Sequence, residues 1–118
     1  MIEKTILDYL NSSLNVKVYM EKPQNPPQKF VLIERTSGRR RNFINEVTFA
    51  IQSYAGSLFD ACELNEQVKN AMIGDGTTSF GIAMESDDVS KCELNADYNY
   101  TDTQTKSYRY QAVFDLVF

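Results

Sequence analysis

The alternation of apolar and polar residues is clearest in the stretch Phe43–Ala55. Its odd-numbered apolar positions are Phe43, Val47, Phe49 and Ile51. This period of two is the pattern of a strand with one buried face. After Gly56, apolar residues recur at steps of three and four as far as Met72, which is the pattern of an amphipathic helix. Ser57 can cap that helix and Gly74 can end it.

Similar patterns predict one more helix and four more strands. Ile2–Leu14 has an apolar side and a polar side and is expected to form the first helix. The other strands are predicted at Val16–Met20, Phe30–Arg35, Val89–Leu94 and Tyr108–Phe118. The last of these has such a consistent apolar face that we expect it to lie inside the sheet and not at its edge.

Phe30–Arg35 and Phe43–Ala55 are expected to pair as an antiparallel hairpin. The segment between them, Thr36–Asn42, reads as the turn and carries Arg39, Arg40 and Arg41. The returning strand is longer than a small core requires. We therefore expect the hairpin tip, with its three arginines, to project from the body.

Three segments read as loops. Pro23–Pro27 contains Pro23, Pro26 and Pro27, which exclude both helix and sheet ladder. Gly74–Asp88 is rich in glycine, serine, threonine and acidic residues and is predicted to be the least ordered part of the chain. Asn95–Thr103 reads as a polar linker that contains Tyr98 and Tyr100.

These elements predict a single α+β domain that spans residues 1–118. The expected fold is a mainly antiparallel sheet of about four to five strands. Two helices pack on one of its faces, and a long β-hairpin projects from it. No apolar run approaches the length of a membrane span, and the first residues lack the pattern of a signal peptide. We expect the chain to fold in a cytoplasm.

The titratable residues argue against catalysis. The chain has no histidine, which removes the commonest general base and metal ligand. Glu85, Asp87 and Asp88 could in principle hold a cation, but their spacing matches no calcium loop. Cys62 and Cys92 have no metal-like spacing and read as small hydrophobic residues. We therefore expect no enzyme activity, no cofactor and no metal site.

Charge and aromatic content favour a contact role. Lys and Arg number 12 against 16 Asp and Glu, a net charge of −4, which disfavours a dedicated nucleic-acid binder. The arginines can bind an acidic partner or phosphates, or simply keep a turn solvated. The candidate subunit and partner contacts are Arg39, Arg40, Arg41, Pro23, Pro26, Pro27, Tyr98 and Tyr100.

The order of elements resembles the tail terminator, or tail completion, proteins of long-tailed phages and prophages of Gram-positive bacteria. The resemblance extends over nearly the whole chain. It rests on five short stretches of sequence, none of which is a catalytic motif. They are Val18–Met20 before the proline loop, Phe49–Ala55, Leu64–Val68, Asp97–Tyr100 and Tyr108–Asp115.

The resemblance implies a minor tail protein that closes into a hexameric ring. Such a ring caps the tail tube, stops its polymerisation and offers the surface that joins the head. The implied partners are further copies of the chain, the tail tube protein and a head-to-tail connector protein. DNA would pass through the lumen without specific binding. The implied location is the virion tail, assembled in the bacterial cytoplasm.

Three alternatives stay open at this point. Within the structural class, the chain could be a head-to-tail connector. In a different class, it could be a small nucleic-acid-binding module that uses Arg39–Arg41 with Tyr98 and Tyr100 as stacking platforms. A third alternative is a small hydrolase that uses a metal held by the acidic segment.

Overall fold

The computed structural model describes residues 1–118 and has an α+β fold, as expected from the sequence. It contains three helices and five strands. In chain order they are α1 (Ile2–Ser13), β1 (Lys17–Tyr19), β2 (Phe30–Arg41), β3 (Ile44–Ala55), α2 (Leu58–Ile73), α3 (Ile82–Glu85), β4 (Lys91–Asn99) and β5 (Tyr108–Val117).

All five strands belong to one sheet in the order β1-β2-β3-β5-β4. Only β1 and β2 are parallel, and the other neighbours are antiparallel. The expectation that the final strand lies inside the sheet is confirmed, because β5 pairs with β3 on one side and with β4 on the other. The sheet therefore ends in β4 at one edge and in the β1–β2 pair at the other.

Both long helices contribute to one core on one face of the sheet. Ile6 and Leu10 of α1 and Leu64 and Val68 of α2 are buried there, together with Phe49 of β3. Helix α2 begins as the sequence predicts, since the Ser57 hydroxyl accepts a hydrogen bond from the Asp60 backbone amide (3.1 Å). It ends at Gly74, whose φ is +87°. The opposite face of the sheet carries no helix.

The hairpin is confirmed, but its turn is shorter than predicted. Strand β2 continues through the arginines, and the turn consists of Asn42 and Phe43, both with positive φ (50° and 66°). Arg39–Arg41 therefore lie in a strand, and Phe43 lies in a turn and is 90% exposed instead of facing the core. Strand β5 accompanies β3 as far as Asn45, so only the tip extends past the sheet.

Two segments predicted as irregular are folded. Strand β4 continues past a bulge at Asn95 to Asn99, so Tyr98 belongs to a strand and not to a linker. Within residues 74–88, the Asp75 carboxylate accepts the backbone amides of the following residues Thr77, Thr78 and Ser79. Helix α3 follows, and its Ile82 is completely buried. The segment is tied down at both ends by these contacts.

Candidate contact surfaces

The first candidate surface is the outer edge of β2. Strand β1 pairs with β2 only from Phe30 to Leu32, and no other strand lies on that side. Ile33 is only 2% exposed, so the uncovered part of this edge is Glu34–Arg41. Every residue from Glu34 to Arg41 is exposed. An uncovered edge of this kind is a template for pairing with another strand.

The second candidate surface is the outer edge of β4, at the opposite side of the sheet. This 9-residue strand pairs only with β5, and most of its side chains are exposed. Helix α2 anchors its middle, because Lys69 forms an ion pair with Asp97 (2.9 Å) and Asn65 donates to the same carboxylate (3.0 Å). The edge is thus held in a fixed position while its outer backbone groups stay free.

The arginines follow the β2 edge toward the hairpin tip. Arg39 forms an ion pair with Glu46 on the neighbouring strand β3 (2.5 Å). Arg40 and Arg41 are exposed and have no acidic side chain within ion-pair distance. The end of the edge therefore carries positive charge that the chain itself does not neutralise.

An arginine lies between two tyrosines on the helix-free face. The Arg109 guanidinium is 4.6 Å from the ring centre of Tyr100 and 5.6 Å from that of Tyr54. It also donates to the Tyr100 carbonyl (2.7 Å) and to the Tyr54 hydroxyl (3.0 Å). The Tyr54 ring is stacked on Phe30 at 4.4 Å. Tyr100 is therefore fixed by contacts within the chain, although it is 44% exposed.

Side-chain amides continue this cluster across the sheet. The Tyr54 hydroxyl donates to Gln52, Gln52 donates to Gln111, and Gln111 donates to the Tyr98 hydroxyl. The two glutamines are not among the contact residues predicted from the sequence. The available signal was their position in strands that otherwise carry apolar residues, where a polar side chain requires a partner.

The proline loop and the tyrosines lie at the same end of the sheet. Pro23 is half-buried, whereas Pro26 and Pro27 are exposed. The Nζ atom of Lys22, just before the loop, lies 5.5 Å from the centre of the Tyr54 ring. After the loop the chain continues to Phe30, whose ring stacks on Tyr54.

The arginines lie at the other end. Residues that are paired across successive strands form a row of the sheet, and Tyr98 lies in the row of Leu32. Arg39 lies about 20 Å from that row, measured along the strands. The structure does not bring the arginines together with Tyr98 and Tyr100. A nucleic-acid site that used both groups would have to bridge that distance.

The acidic segment is partly engaged in packing. Glu85 accepts a hydrogen bond from the Tyr9 hydroxyl (3.0 Å), and the same hydroxyl lies 2.6 Å from the carbonyl of Ala71. Burial, together with the nearby Glu85 carboxylate, raises the pKa of Tyr9. No three His, Cys, Asp or Glu side chains are grouped so that they could hold a metal ion.

The two cysteines are unpaired and partly buried. Burial raises the pKa of the Cys92 thiol to about 12, and the carboxylates of Asp115 and Glu93 add to the effect. Since the thiolate is the reactive form, Cys92 is expected to be a packing residue near neutral pH.

No family model matches the sequence, and no curated protein matches it. None of the three helices has the length and apolar content that crossing a bilayer requires.

Proposed function

We propose that the chain is a structural subunit of a long-tailed phage particle that assembles with copies of itself into a ring. In this proposal the ring acts as the tail terminator: it caps the tail tube, ends tube polymerisation and offers the surface that receives the head. The proposal combines the resemblance of the sequence to tail terminator proteins with the two candidate surfaces.

The observation that carries the proposal is that one sheet ends in two unlike, uncovered edges. An edge that pairs with a different edge of the next copy makes a head-to-tail contact, and such contacts produce closed rings when the rotation closes. If one of the two edges were covered, strand pairing could join at most two copies of the chain. Pairing by strand addition is a common mode of protein recognition.

The direction of the strands also favours this arrangement. Because the pairs β2–β3, β3–β5 and β5–β4 are all antiparallel, β4 runs opposite to β2. Rotation about an axis roughly along the strands preserves their directions. Strand β4 of one copy would therefore meet β2 of the next as an antiparallel pair, the more stable of the two ladder types.

The partners in this proposal are further copies of the chain in a six-membered ring, the tail tube protein below it and a connector protein above it. DNA would pass through the lumen without specific binding, and the net charge of −4 suits such passage. The ring would assemble in the host cytoplasm and remain in the virion tail, with no enzymatic step, cofactor or membrane contact.

The test is to add the purified chain to polymerising tail tube protein. The proposal expects shorter tubes with capped ends in negative stain, and ring-sized particles in light scattering. Arg40→Glu reverses a charge at the β2 edge and is expected to weaken ring formation. Lys29→Glu changes the charge equally at the other end of the hairpin and is the matched control.

A chain that stays monomeric at every concentration and leaves tube length unchanged would overturn the proposal. Rings that bind purified heads and ignore tubes would overturn the terminator assignment in favour of a head-to-tail connector.

A further inference from the structure

We infer that Glu34–Arg41 of one copy pairs with Lys91–Tyr98 of the next in one particular register. In that register Glu93 lies opposite Arg39 of the neighbour, and Asp97 lies opposite Arg35. This inference rests on the proposed function, because it describes how copies of the chain join in the ring. Three constraints lead to the same register.

The first constraint is the space that β1 occupies. Tyr98 lies in the same row of the sheet as Leu32, and Asn99 lies in the row of Val31. Strand β1 already covers the outer sides of Val31 and Leu32. A neighbour placed without a shift would therefore force Tyr98 and Asn99 into β1. The neighbouring β4 has to move toward the hairpin tip.

The second constraint is the alternation of faces. Side chains of paired residues in adjacent strands point to the same face of a sheet, and a shift by one residue reverses every side chain. If the helices of all copies lie on the same side of the ring, the shift must be an even number of residues. The smallest even shift that clears β1 sets Tyr98 opposite Glu34, the first exposed residue of the β2 edge.

The third constraint is charge. Without a shift, Lys91 lies in the row of Arg39, so two positive side chains would be opposite each other. With the smallest even shift, Glu93 moves opposite Arg39, Asp97 moves opposite Arg35, and Lys91 moves opposite Arg41. The shifted register thus has two pairs of unlike charge and one pair of like charge, whereas the unshifted register has only the like-charge pair. Directly opposite charges of unlike sign stabilise a strand pair, and like charges destabilise it.

The residues in this contact are exposed, and Arg39 and Glu93 each already have one partner of opposite charge within the copy, Glu46 and Lys91. The side chains of Arg39 and Glu93 are 63% and 62% exposed. Arg35 is bound to Glu3 of α1, and Asp97 is bound to Lys69 of α2. These two ion pairs lie on the helix side, so the new contact would join them into one network.

The test uses cysteine cross-linking in a Cys62→Ala, Cys92→Ala background. Arg39→Cys with Glu93→Cys reports the inferred register, and Ser37→Cys with Glu93→Cys reports the unshifted one. Strands β2 and β4 of one copy are separated by β3 and β5, about 14 Å in all. A disulfide requires Cα atoms within about 7 Å, so every cross-link must join two copies.

After mild oxidation, the Arg39→Cys, Glu93→Cys variant is expected to give a ladder of multimers on a non-reducing gel. The Ser37→Cys, Glu93→Cys control is expected to give at least five-fold less. Light scattering before oxidation measures assembly independently, and thermal unfolding verifies that both variants fold.

Each alternative outcome counts against a specific claim. A stronger ladder from the control overturns the register. If light scattering shows rings but neither variant gives a ladder on the gel, the edge pairing is overturned and the proposed function is left standing. Monomers alone, in solution and on tail tubes, overturn both claims.

Discussion

Gln52 donates a hydrogen bond from its side-chain amide to that of Gln111 across the central strands β3 and β5 (2.9 Å). Both side chains are more than 90% buried, on the face of the sheet that carries no helix. Tyr54 and Tyr98 extend this pair into a chain of four side chains. Tyr54, Gln52 and Gln111 have little access to water, so their polar atoms depend on these partners.

Gln52→Leu and Gln111→Leu should each lower the free energy of unfolding by about 1–3 kcal/mol, because each leaves buried polar atoms without a partner. Replacing both removes the amides on both sides. The double variant should therefore lose less stability than the sum of the two single variants. Urea unfolding of the four proteins measures the difference, and strict additivity would contradict the coupling.

Gly81→Ala should destabilise the protein more than Gly76→Ala. Both glycines have positive φ, so an alanine at either position is strained by its backbone conformation. A Cβ at Gly81 would also lie 2.9 Å from the Met72 carbonyl oxygen, whereas a Cβ at Gly76 would meet nothing within 4 Å. Thermal unfolding compares the two, and equal losses would show that the close approach is absent in solution.

Phe43→Gly should stabilise the fold by about 1 kcal/mol. Phe43 lies in the left-handed region with φ of 66°, and its ring has almost no contacts that would be lost. Glycine adopts this backbone without strain, and Asn-Gly is the preferred pair in such two-residue turns. Asn42→Gly is the control, because asparagine already tolerates this conformation. Loss of stability in Phe43→Gly would indicate that the ring is packed.

Asp75→Asn should change the dependence of stability on pH. Hydrogen bonds from the Thr78 hydroxyl and from the backbone amides of residues 77–79 hold the pKa of Asp75 below its ordinary value. A lowered folded pKa means that the stabilisation is present above the ordinary carboxyl pKa and is lost as the pH falls through the folded value.

Thermal unfolding of the wild type and Asp75→Asn should therefore differ at pH 7 and converge toward pH 2. A difference that persists unchanged into acid would contradict the role of the ionised carboxylate.

Periodicity predicted the parts of the fold that are buried. The alternation in β3 and β5 and the apolar stripes of α1 and α2 correctly indicated these elements, because each presents one side to the core. The first half of β2 and the first half of β4 were predicted for the same reason. Ser57 and Gly74 were correctly identified as the ends of α2, since capping depends on local chemistry.

The wrong predictions fall where burial gives no signal. Arg39–Arg41 and Asn95–Asn99 were assigned to a turn and a linker because they are polar, yet both extend strands through backbone pairing with one inner neighbour. An exposed edge strand needs no apolar face. The aromatic cluster around Arg109 was missed because its members come from β3, β5 and the segment after β4, which only the sheet order brings together.

The charges on the β4 edge also disfavour a symmetric dimer. If two β4 edges joined about a two-fold axis at Asn95, Glu93 would face Asp97, and like charges opposite each other cost stability and act as discrimination against the wrong partner. Two β2 edges joined about Ser37 gain nothing on balance, because Arg39 would face Arg35 while Arg40 would face Glu34. The distribution of charge thus favours a contact between unlike edges over isologous association, and growth through that contact ends only when the last copy meets the first.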